Sequence, residues 1–168
     1  MSGAAPGLER LNALSRAQAV AELLRCCGSR AWAETVADAR PFATGEALLD
    51  TADAVWRALA REDWLEALRA HPRIGERPTA QHRGAEWSEQ EQAAVLAAGD
   101  DARAELAALN RLYEQRFGYI FLICATGLGA SDILEAVRWR IDNDPANELH
   151  IAAEEQGKIT RLRLERLL

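Results

Sequence analysis

Apolar side chains recur at three- and four-residue spacing along most of this chain, which is the pattern of helices with one buried face. The clearest example follows Thr44, where leucine, alanine, valine and tryptophan side chains repeat along one face as far as Leu59. Capping residues and helix breakers predict the bounds of the helices before it, namely Asn12 or Ser15, Gly28, Ser29 and Pro41.

The helical pattern continues to the C-terminus, and no stretch alternates like a β-strand. A fourth helix carries Trp64, Leu65 and Leu68, and a long helix is predicted from about Asp101, through Gly118, to Leu122. The remaining signals are Gly127 and Gly129 as the end of that helix, Ser131 as the cap of a helix reaching Ile141, and a last helix from about Ala146. The sequence therefore predicts an all-α fold, a single compact domain of about eight helices over residues 1–168.

The segment from His71 to Pro78 interrupts this pattern. It holds two prolines and a glycine within seven residues, and a residue before proline avoids the α region. We expect an ordered loop that continues as far as Trp87. After it, Ser88 and Glu91 have the three-residue spacing of a capping box, which predicts that a helix begins there.

Composition narrows the function classes. The chain has 168 residues, a formal net charge of −6 and a pI near 5.2, which argues against a nucleic-acid partner. A few arginines can still attract a small anion into one cleft. The three cysteines lack zinc-type spacing and indicate thiols in a reducing compartment. No signal peptide or membrane-length apolar run is seen, so the cytoplasm is the expected location and no membrane partner is expected.

His71 is the first candidate for chemistry. A histidine transfers protons near neutral pH, and this one stands between an apolar helix and a stiff loop. A helix-terminal histidine that bonds the last carbonyls is the structural alternative. Glu91 and Gln92 could orient His71 or bind an oxo or ureido group, although Glu91 could equally close the capping box on Ser88.

Two arginines near the C-terminus are candidates for binding an anion. Arg161 and Arg163 lie two residues apart, so on a helix they point to different faces, and a solvated basic face at the helix end explains them equally well. A metal site drawn from His71, His82 and His150 has no recognised spacing, so no metal is expected.

Several of these residues occur in an order that resembles one family, 2-oxo-4-hydroxy-4-carboxy-5-ureidoimidazoline (OHCU) decarboxylase. The motifs are Ala70 to Glu76, Trp87-Ser88 with Glu91-Gln92, Asn110 with Tyr113, Phe117 to Phe121, Lys158-Ile159 with Arg163-Leu164, and, nearer the N-terminus, Cys27 to Trp32 and Ala39 to Phe42. The resemblance therefore covers nearly the whole chain. Many relatives have proline where this chain has Ile120, and the isoleucine leaves an ordinary helix available at that position.

The resemblance implies an all-helical enzyme, usually a homodimer, that uses no cofactor and converts a small anionic substrate, OHCU, to (S)-allantoin and CO2 as the third step from urate. It implies catalytic roles for His71, Glu91 and Arg163, with Arg161 as the alternative arginine. The implied substrate contacts are Pro72, Ser88, Glu89, Gln90, Glu91, Gln92, Tyr119, Ile120, Phe121, Leu122 and Ile123. Two other interpretations stay open: a non-catalytic helical binding protein, and an enzyme acting on a related ureido or heterocyclic acid.

Overall fold

A computed structural model describes residues 6–76, 87, 90 and 92–168. Over these residues the backbone is helical, with no strand. The helices are α1 (Pro6–Ala13), α2 (Arg16–Cys26), α3 (Arg30–Asp38), α4 (Gly45–Ala58), α5 (Arg61–Arg69), α6 (Ala93–Leu96), α7 (Asp100–Phe117), α8 (Ala130–Arg140) and α9 (Pro145–Leu167). The all-α prediction is confirmed. In this described part of the chain, no helix combines the length and apolar character needed to cross a membrane.

Three of the predicted N-caps are confirmed by their hydrogen bonds. The Ser15 side chain accepts from the backbone of Gln18 at 3.3 Å, and Gln18 closes a capping box by accepting from the Ser15 backbone. Ser29 and Thr44 each accept from the backbone amide three residues on, at 3.2 and 3.1 Å. Short polar side chains satisfy the free amides at a helix start, which is why the sequence located these starts correctly.

The Cα packing divides the chain into two compact units, residues 1–67 with 157–168, and residues 68–156. In the first unit, helix α3 packs against α2 and α4 around fully buried side chains that include Leu23, Trp32 and Leu48. The Trp32 indole donates to the backbone of Ala52 at 3.1 Å, which fixes α3 on α4. The expectation of a single domain over residues 1–168 stays a prediction.

The second unit contains the end of α5, the loop that begins at His71, helices α6 to α8 and the first half of α9. Helices α7 and α8 pack together. Tyr113 and Phe121 are fully buried there, with ring centroids 5.3 Å apart in an edge-to-face arrangement. This aromatic core supports the segment that follows α7.

The prediction that the long helix continues to Leu122 was wrong. Helix α7 ends at Phe117, and Gly118 has φ +80°, a left-handed conformation that glycine adopts at low cost. The Gly118 amide still bonds to Glu114 O at 2.8 Å and closes the last turn. Residues 119–125 are extended or irregular, so Ile120 does not continue a helix.

The start of one further helix differs from the expectation. Helix α8 begins at Ala130 with Gly129 as its N-cap, so Ser131 lies inside the first turn; Asp132 accepts from the Gly129 amide at 2.8 Å. The short helix α1 was not predicted, because it shows no long apolar repeat, whereas α6 lies within the stretch where a helix was predicted after Ser88.

Candidate functional site

A cavity of about 490 Å³ opens in the second unit between the His71 loop and the C-terminal end of α7. It is large enough for a small heterocyclic molecule. Its lining residues come from the end of α5, the loop, α7 and the segment after it: Arg69, His71, Pro72, Arg73, Glu76, Glu114, Gly118, Tyr119 and Ile120. Four residues proposed from the sequence, His71, Pro72, Tyr119 and Ile120, thus lie around one cavity.

The loop that carries His71 is held at its far end. Gly75 has φ +86°, and its amide donates to Oε1 of the buried Gln92 at 2.8 Å. The buried Asn110 donates to the carbonyl of Ile74 at 3.0 Å. A side chain at position 75 would be strained by the positive φ and would stand 3.3 Å from Leu106. The expected ordered loop is therefore confirmed for residues 71–76.

The His71 imidazole is half-buried and meets an amide. Its Nε2 lies 2.7 Å from Oε1 of Gln156, a side chain with no exposed surface. An amide oxygen only accepts, so this contact is a hydrogen bond in the tautomer whose Nε2 carries the hydrogen. In the neutral imidazole, Nδ1 is then the basic nitrogen. The backbone amide of His71 bonds to Leu68 O at 3.3 Å and ends the preceding helix.

The charges around the cavity are mixed. Arg73 binds Glu114 through two hydrogen bonds of 2.6 and 3.1 Å and approaches Glu76 at 3.9 Å. Glu114 raises the pKa of Arg73 above its usual value, mainly through these hydrogen bonds. Arg69 is exposed and forms no ion pair with any residue that the structure describes. Its positive charge is thus the one in the described lining that an anionic ligand could meet directly.

The segment after α7 is fixed by side chains from other helices. Arg140 donates to Leu122 O at 2.7 Å, and its guanidinium lies 4.6 Å from the centre of the Phe121 ring. Glu155 accepts from the Cys124 amide at 2.8 Å. Phe121 and Leu122 are buried in the core and do not line the cavity, and Ile123 is half-buried. Any contact of these three residues with a ligand stays a prediction.

Arg140 is itself held by a buried carboxylate. Glu148 has no exposed surface and accepts hydrogen bonds from Arg140 Nε at 2.8 Å, Asn143 Nδ2 at 2.9 Å and the Tyr113 hydroxyl at 2.5 Å. Burial raises the pKa of Tyr113, and the hydrogen bond to Glu148 raises it further, so the hydroxyl keeps its proton. The carboxylate is matched by an arginine and by dipoles, as a buried charge requires.

The other predicted contacts are described only in part. Ser88, Glu89 and Glu91 lie outside the described residues, and with them the proposed capping box. Gln90 is exposed and helical, and Trp87 is helical as well, so the loop does not extend through Trp87. Gln92 is buried and uses its side-chain oxygen to hold Gly75. Gln92 therefore has a structural role in holding the loop, and a contact between Gln92 and a ligand stays a prediction.

The two C-terminal arginines have different surroundings within the first unit, as their spacing predicted. Arg161 binds Asp53 at 2.9 Å and approaches Glu165 at 3.6 Å. Arg163 is 3% exposed and donates to the carbonyl of Arg25 at 3.2 Å. Which arginine binds a substrate stays a prediction.

The described residues give no support to the alternative of a metal site. Within residues 6–76, 87, 90 and 92–168, no group of three or more histidine, cysteine, aspartate or glutamate side chains is arranged to hold a metal ion. His150 is exposed on α9, and His82 lies outside the described residues.

Four residues of this region were not identified from the sequence: Arg69, Glu114, Glu148 and Gln156. Glu148, Ala152 and Gln156 recur every four residues and are fully buried, so two polar residues occupy apolar positions of one helix face. A polar residue in an apolar stripe is a signal that could have drawn attention to the last two.

The fold and the site place the chain in a class of all-helical proteins that includes a solved OHCU decarboxylase. That structure, obtained in the presence of (S)-allantoin, has a TM-score of 0.77 and 38% identity over 88% of this chain and 96% of that one. The family model for OHCU decarboxylase matches residues 12–165. This chain belongs to the OHCU decarboxylase family.

Two curated relatives agree. The uric acid degradation bifunctional protein TTL of Arabidopsis thaliana is 40% identical over 84% of this chain and 45% of its own length. The 2-oxo-4-hydroxy-4-carboxy-5-ureidoimidazoline decarboxylase of Amia calva is 39% identical over 60% of this chain and 59% of its own. The chain thus spans about half the length of these relatives.

Proposed function

We propose that this chain decarboxylates OHCU to (S)-allantoin and CO2 in the breakdown of urate. Family membership supports the substrate, and the presence of (S)-allantoin with a 38% identical relative supports the product. The observation that carries the proposal is the position of His71 in the wall of a cavity of about 490 Å³, on a loop fixed by Gln92 and Asn110. A fixed imidazole beside a small cavity suits proton transfer to a bound ring.

The chemistry needs no external electron sink. The bond between the ring carbon and CO2 breaks, and its electron pair enters the neighbouring C=N bond. The ring nitrogen takes a proton, the hydroxyl loses its proton to become a carbonyl, and the ring carbon that bears the ureido group gains one. One proton is taken up overall. Because the ring accepts the electrons itself, we propose that no organic cofactor or metal takes part.

The protein must then bind the anion and control the proton that creates the stereocentre. We propose that His71 moves this proton, helped by Glu91, and that Arg163 binds the substrate. The Glu91 and Arg163 roles rest on the family motifs. Arg69, as a cation at the cavity without an ion pair among the described residues, is a further candidate for attracting the carboxylate. Acid–base help of this kind contributes roughly 10²–10⁴-fold.

A cytoplasmic homodimer is the expected form. All three cysteines are free thiols and Cys26 and Cys27 are buried, which supports a reducing compartment. The homodimer rests on the resemblance to the family; Trp139, 76% exposed on α8, and Leu112, 53% exposed on α7, are the large apolar side chains exposed in the described part of the chain. Light scattering on the purified protein measures the mass directly, and a monomer at micromolar concentration would contradict the homodimer.

The decisive experiment follows the chirality of the product. OHCU generated freshly from urate loses CO2 slowly by itself, and the planar intermediate is then protonated on both faces, giving racemic allantoin. The parent protein should give (S)-allantoin alone, observed by circular dichroism. His71→Asn should fold normally and lose roughly 10²–10⁴-fold of the stereospecific rate. Racemic product at the spontaneous rate with the parent protein would favour a non-catalytic binding protein or a different ureido acid as substrate.

A further inference from the structure

A buried side chain of helix α9 contacts His71, the proposed proton-transfer residue. Gln156 has no exposed surface, and its Oε1 lies 2.7 Å from Nε2 of His71, 85 residues away in sequence. Both residues belong to the second compact unit. We propose that Gln156 is a positioning residue that holds the Nε2–H tautomer of His71, so that Nδ1 is the basic nitrogen of the neutral ring. This inference rests on the proposed function for its catalytic consequence, although the tautomer itself can be observed without substrate.

The hydrogen bond has a chemical consequence because the imidazole has two different nitrogens. Whichever nitrogen donates to a fixed acceptor keeps its hydrogen, and the other becomes the base. The ring is also prevented from turning over about its side-chain bonds. An imidazole with the wrong tautomer is present in the site but cannot accept the proton, and in a serine protease such an error costs about 10⁴-fold in turnover.

The choice of an amide for this task fits a neutral histidine. A carboxylate at the same distance would stabilise the imidazolium and raise the pKa of the ring. An amide oxygen orients the ring without adding charge. The neighbouring Glu155 has its carboxylate on the Cys124 amide at 2.8 Å. Within the described lining of the cavity, the other charged groups are Arg69, Arg73, Glu76 and Glu114, of which Arg73 and Glu114 bind each other.

Nitrogen-15 NMR of protein labelled at histidine tests the tautomer directly. In the parent protein at a pH where His71 is neutral, the signal of a protonated nitrogen should belong to Nε2 and that of an unprotonated one to Nδ1. In Gln156→Leu, which keeps the side-chain volume close, the two tautomers should mix and the signals should average. The exposed His150 provides an internal reference in each sample. A parent spectrum with Nδ1 protonated, or a spectrum unchanged by Gln156→Leu, would overturn the proposal.

Kinetics with OHCU separate positioning from a structural role. Gln156→Leu should lower kcat by about 10- to 10⁴-fold and change KM little, because the substrate still meets the same cavity. Gln156→Glu keeps an acceptor at the same place, so it should keep the Nε2–H tautomer, recover much of kcat, and move the histidine limb of the pH profile upward by about 1–3 pH units. If Gln156→Leu does not fold, Gln156→Glu and the parent spectrum still decide, and a pH profile that stays in place would contradict the proposal.

A matched control removes another buried polar group from the same helix. Thr160→Val deletes the hydroxyl of a residue that is 5% exposed, one turn beyond Gln156. Its His71 signals should match the parent. Failure of the two proposals can be told apart: a parent protein that holds the Nε2–H tautomer but forms racemic allantoin contradicts the proposed function, whereas a stereospecific parent with mixed tautomers contradicts the role of Gln156.

Discussion

Two buried polar side chains lie eight residues apart on helix α9 and hold different parts of the same region. Glu148 is an acidic residue, and its carboxylate binds Arg140, Asn143 and Tyr113. Gln156 is neutral, and its amide oxygen meets the His71 imidazole. Neither has any exposed surface. The first belongs to a buried ionic network, whereas the second contacts the histidine that we propose transfers a proton.

This difference suggests that the Glu148 network serves mainly the stability of the fold, and the Gln156 contact mainly the reaction. Arg140, held by Glu148, fixes Leu122 and the Phe121 ring, so this network determines where the segment after α7 lies. Within this network, burial and the hydrogen bond to Glu148 raise the pKa of Tyr113 and keep its hydroxyl protonated. Removing one member leaves a buried charge without its partner, which is costly for folding. The amide of Gln156 places no charge beside the imidazole, so its removal should affect the reaction more than the fold.

Glu148→Gln tests the stabilising role of this network and has the largest expected effect. The substitution leaves the Arg140 guanidinium buried without a counter-charge, so the free energy of unfolding should fall by about 3–5 kcal/mol. For a chain of this size that corresponds to a fall in Tm of roughly 6–20 °C. Thermal unfolding followed by circular dichroism measures it.

Glu105→Gln is the matched control for that substitution. Glu105 also binds an arginine, Arg138, but both side chains are about half exposed, at 45% and 54%. An exposed ion pair contributes at most about 1 kcal/mol, so its loss should lower Tm by only a few degrees. Equal changes in the two variants would show that burial of the Glu148 network does not matter for stability, and the comparison would fail.

These two contacts also show what the sequence could and could not predict. The starts of α2, α3 and α4 depend on one capping residue and its neighbour three positions on, so local sequence was sufficient. His71, Pro72, Tyr119 and Ile120 were proposed from motifs, and they line one cavity. The partners of His71 and Leu122 are 85 and 18 residues away, and only the tertiary fold brings them there.

The end of α7 illustrates a different limit. Gly118 was recognised as a weak point within a helix, but the apolar run after it, Tyr119 to Ala125, suggested that the helix continues. The run is apolar because Tyr119, Phe121 and Leu122 are buried in irregular backbone, in which Arg140 binds the Leu122 carbonyl and Glu155 binds the Cys124 amide. Hydrogen bonds from Arg140 and to Glu155, which are distant in sequence, thus take the place of helical hydrogen bonds at these two backbone groups. No local sequence pattern predicts such contacts.

The comparison of buried charged and neutral groups extends to the first unit, which contains two buried thiols. A buried neutral group should destabilise the fold at a pH that forces it to become charged. Burial raises the pKa of Cys26 and Cys27 from the ordinary 9.0 to about 12, although the nearby Arg163 lowers both in part. A pKa that is higher in the folded state means that stability is fully present below pH 9 and is lost as the pH rises toward 12. Each thiol should cost roughly 1 kcal/mol per pH unit in this window.

Denaturant unfolding between pH 8 and 11 measures that loss. The double variant Cys26→Ala with Cys27→Ala should lose much of the alkaline slope, whatever its stability at pH 8. Val36→Ala, which shortens a fully buried apolar side chain in the same unit, serves as the control because it should lower stability about equally at every pH. If the cysteine variant keeps the full slope of the parent protein, the two thiols are not what makes the fold sensitive to alkali.

The smallest expected effect concerns a charge that the fold does not use. Arg140 is buried and paired with Glu148, whereas Arg69 is exposed at the cavity and forms no ion pair within the described part of the chain. If such a cation attracts the substrate carboxylate, Arg69→Gln should raise KM for OHCU about 3- to 10-fold, leave kcat nearly unchanged and leave Tm within a degree or two. Arg111 is an exposed arginine on α7 that does not line the cavity, so Arg111→Gln should change neither constant.

A raised KM in both variants would indicate a general effect of net charge. An unchanged KM in Arg69→Gln would leave binding of the carboxylate to Arg163 or to residues outside the described part. Salt should weaken the parent protein's advantage over Arg69→Gln, because an exposed charge is screened within about 10 Å at 0.1 M ionic strength.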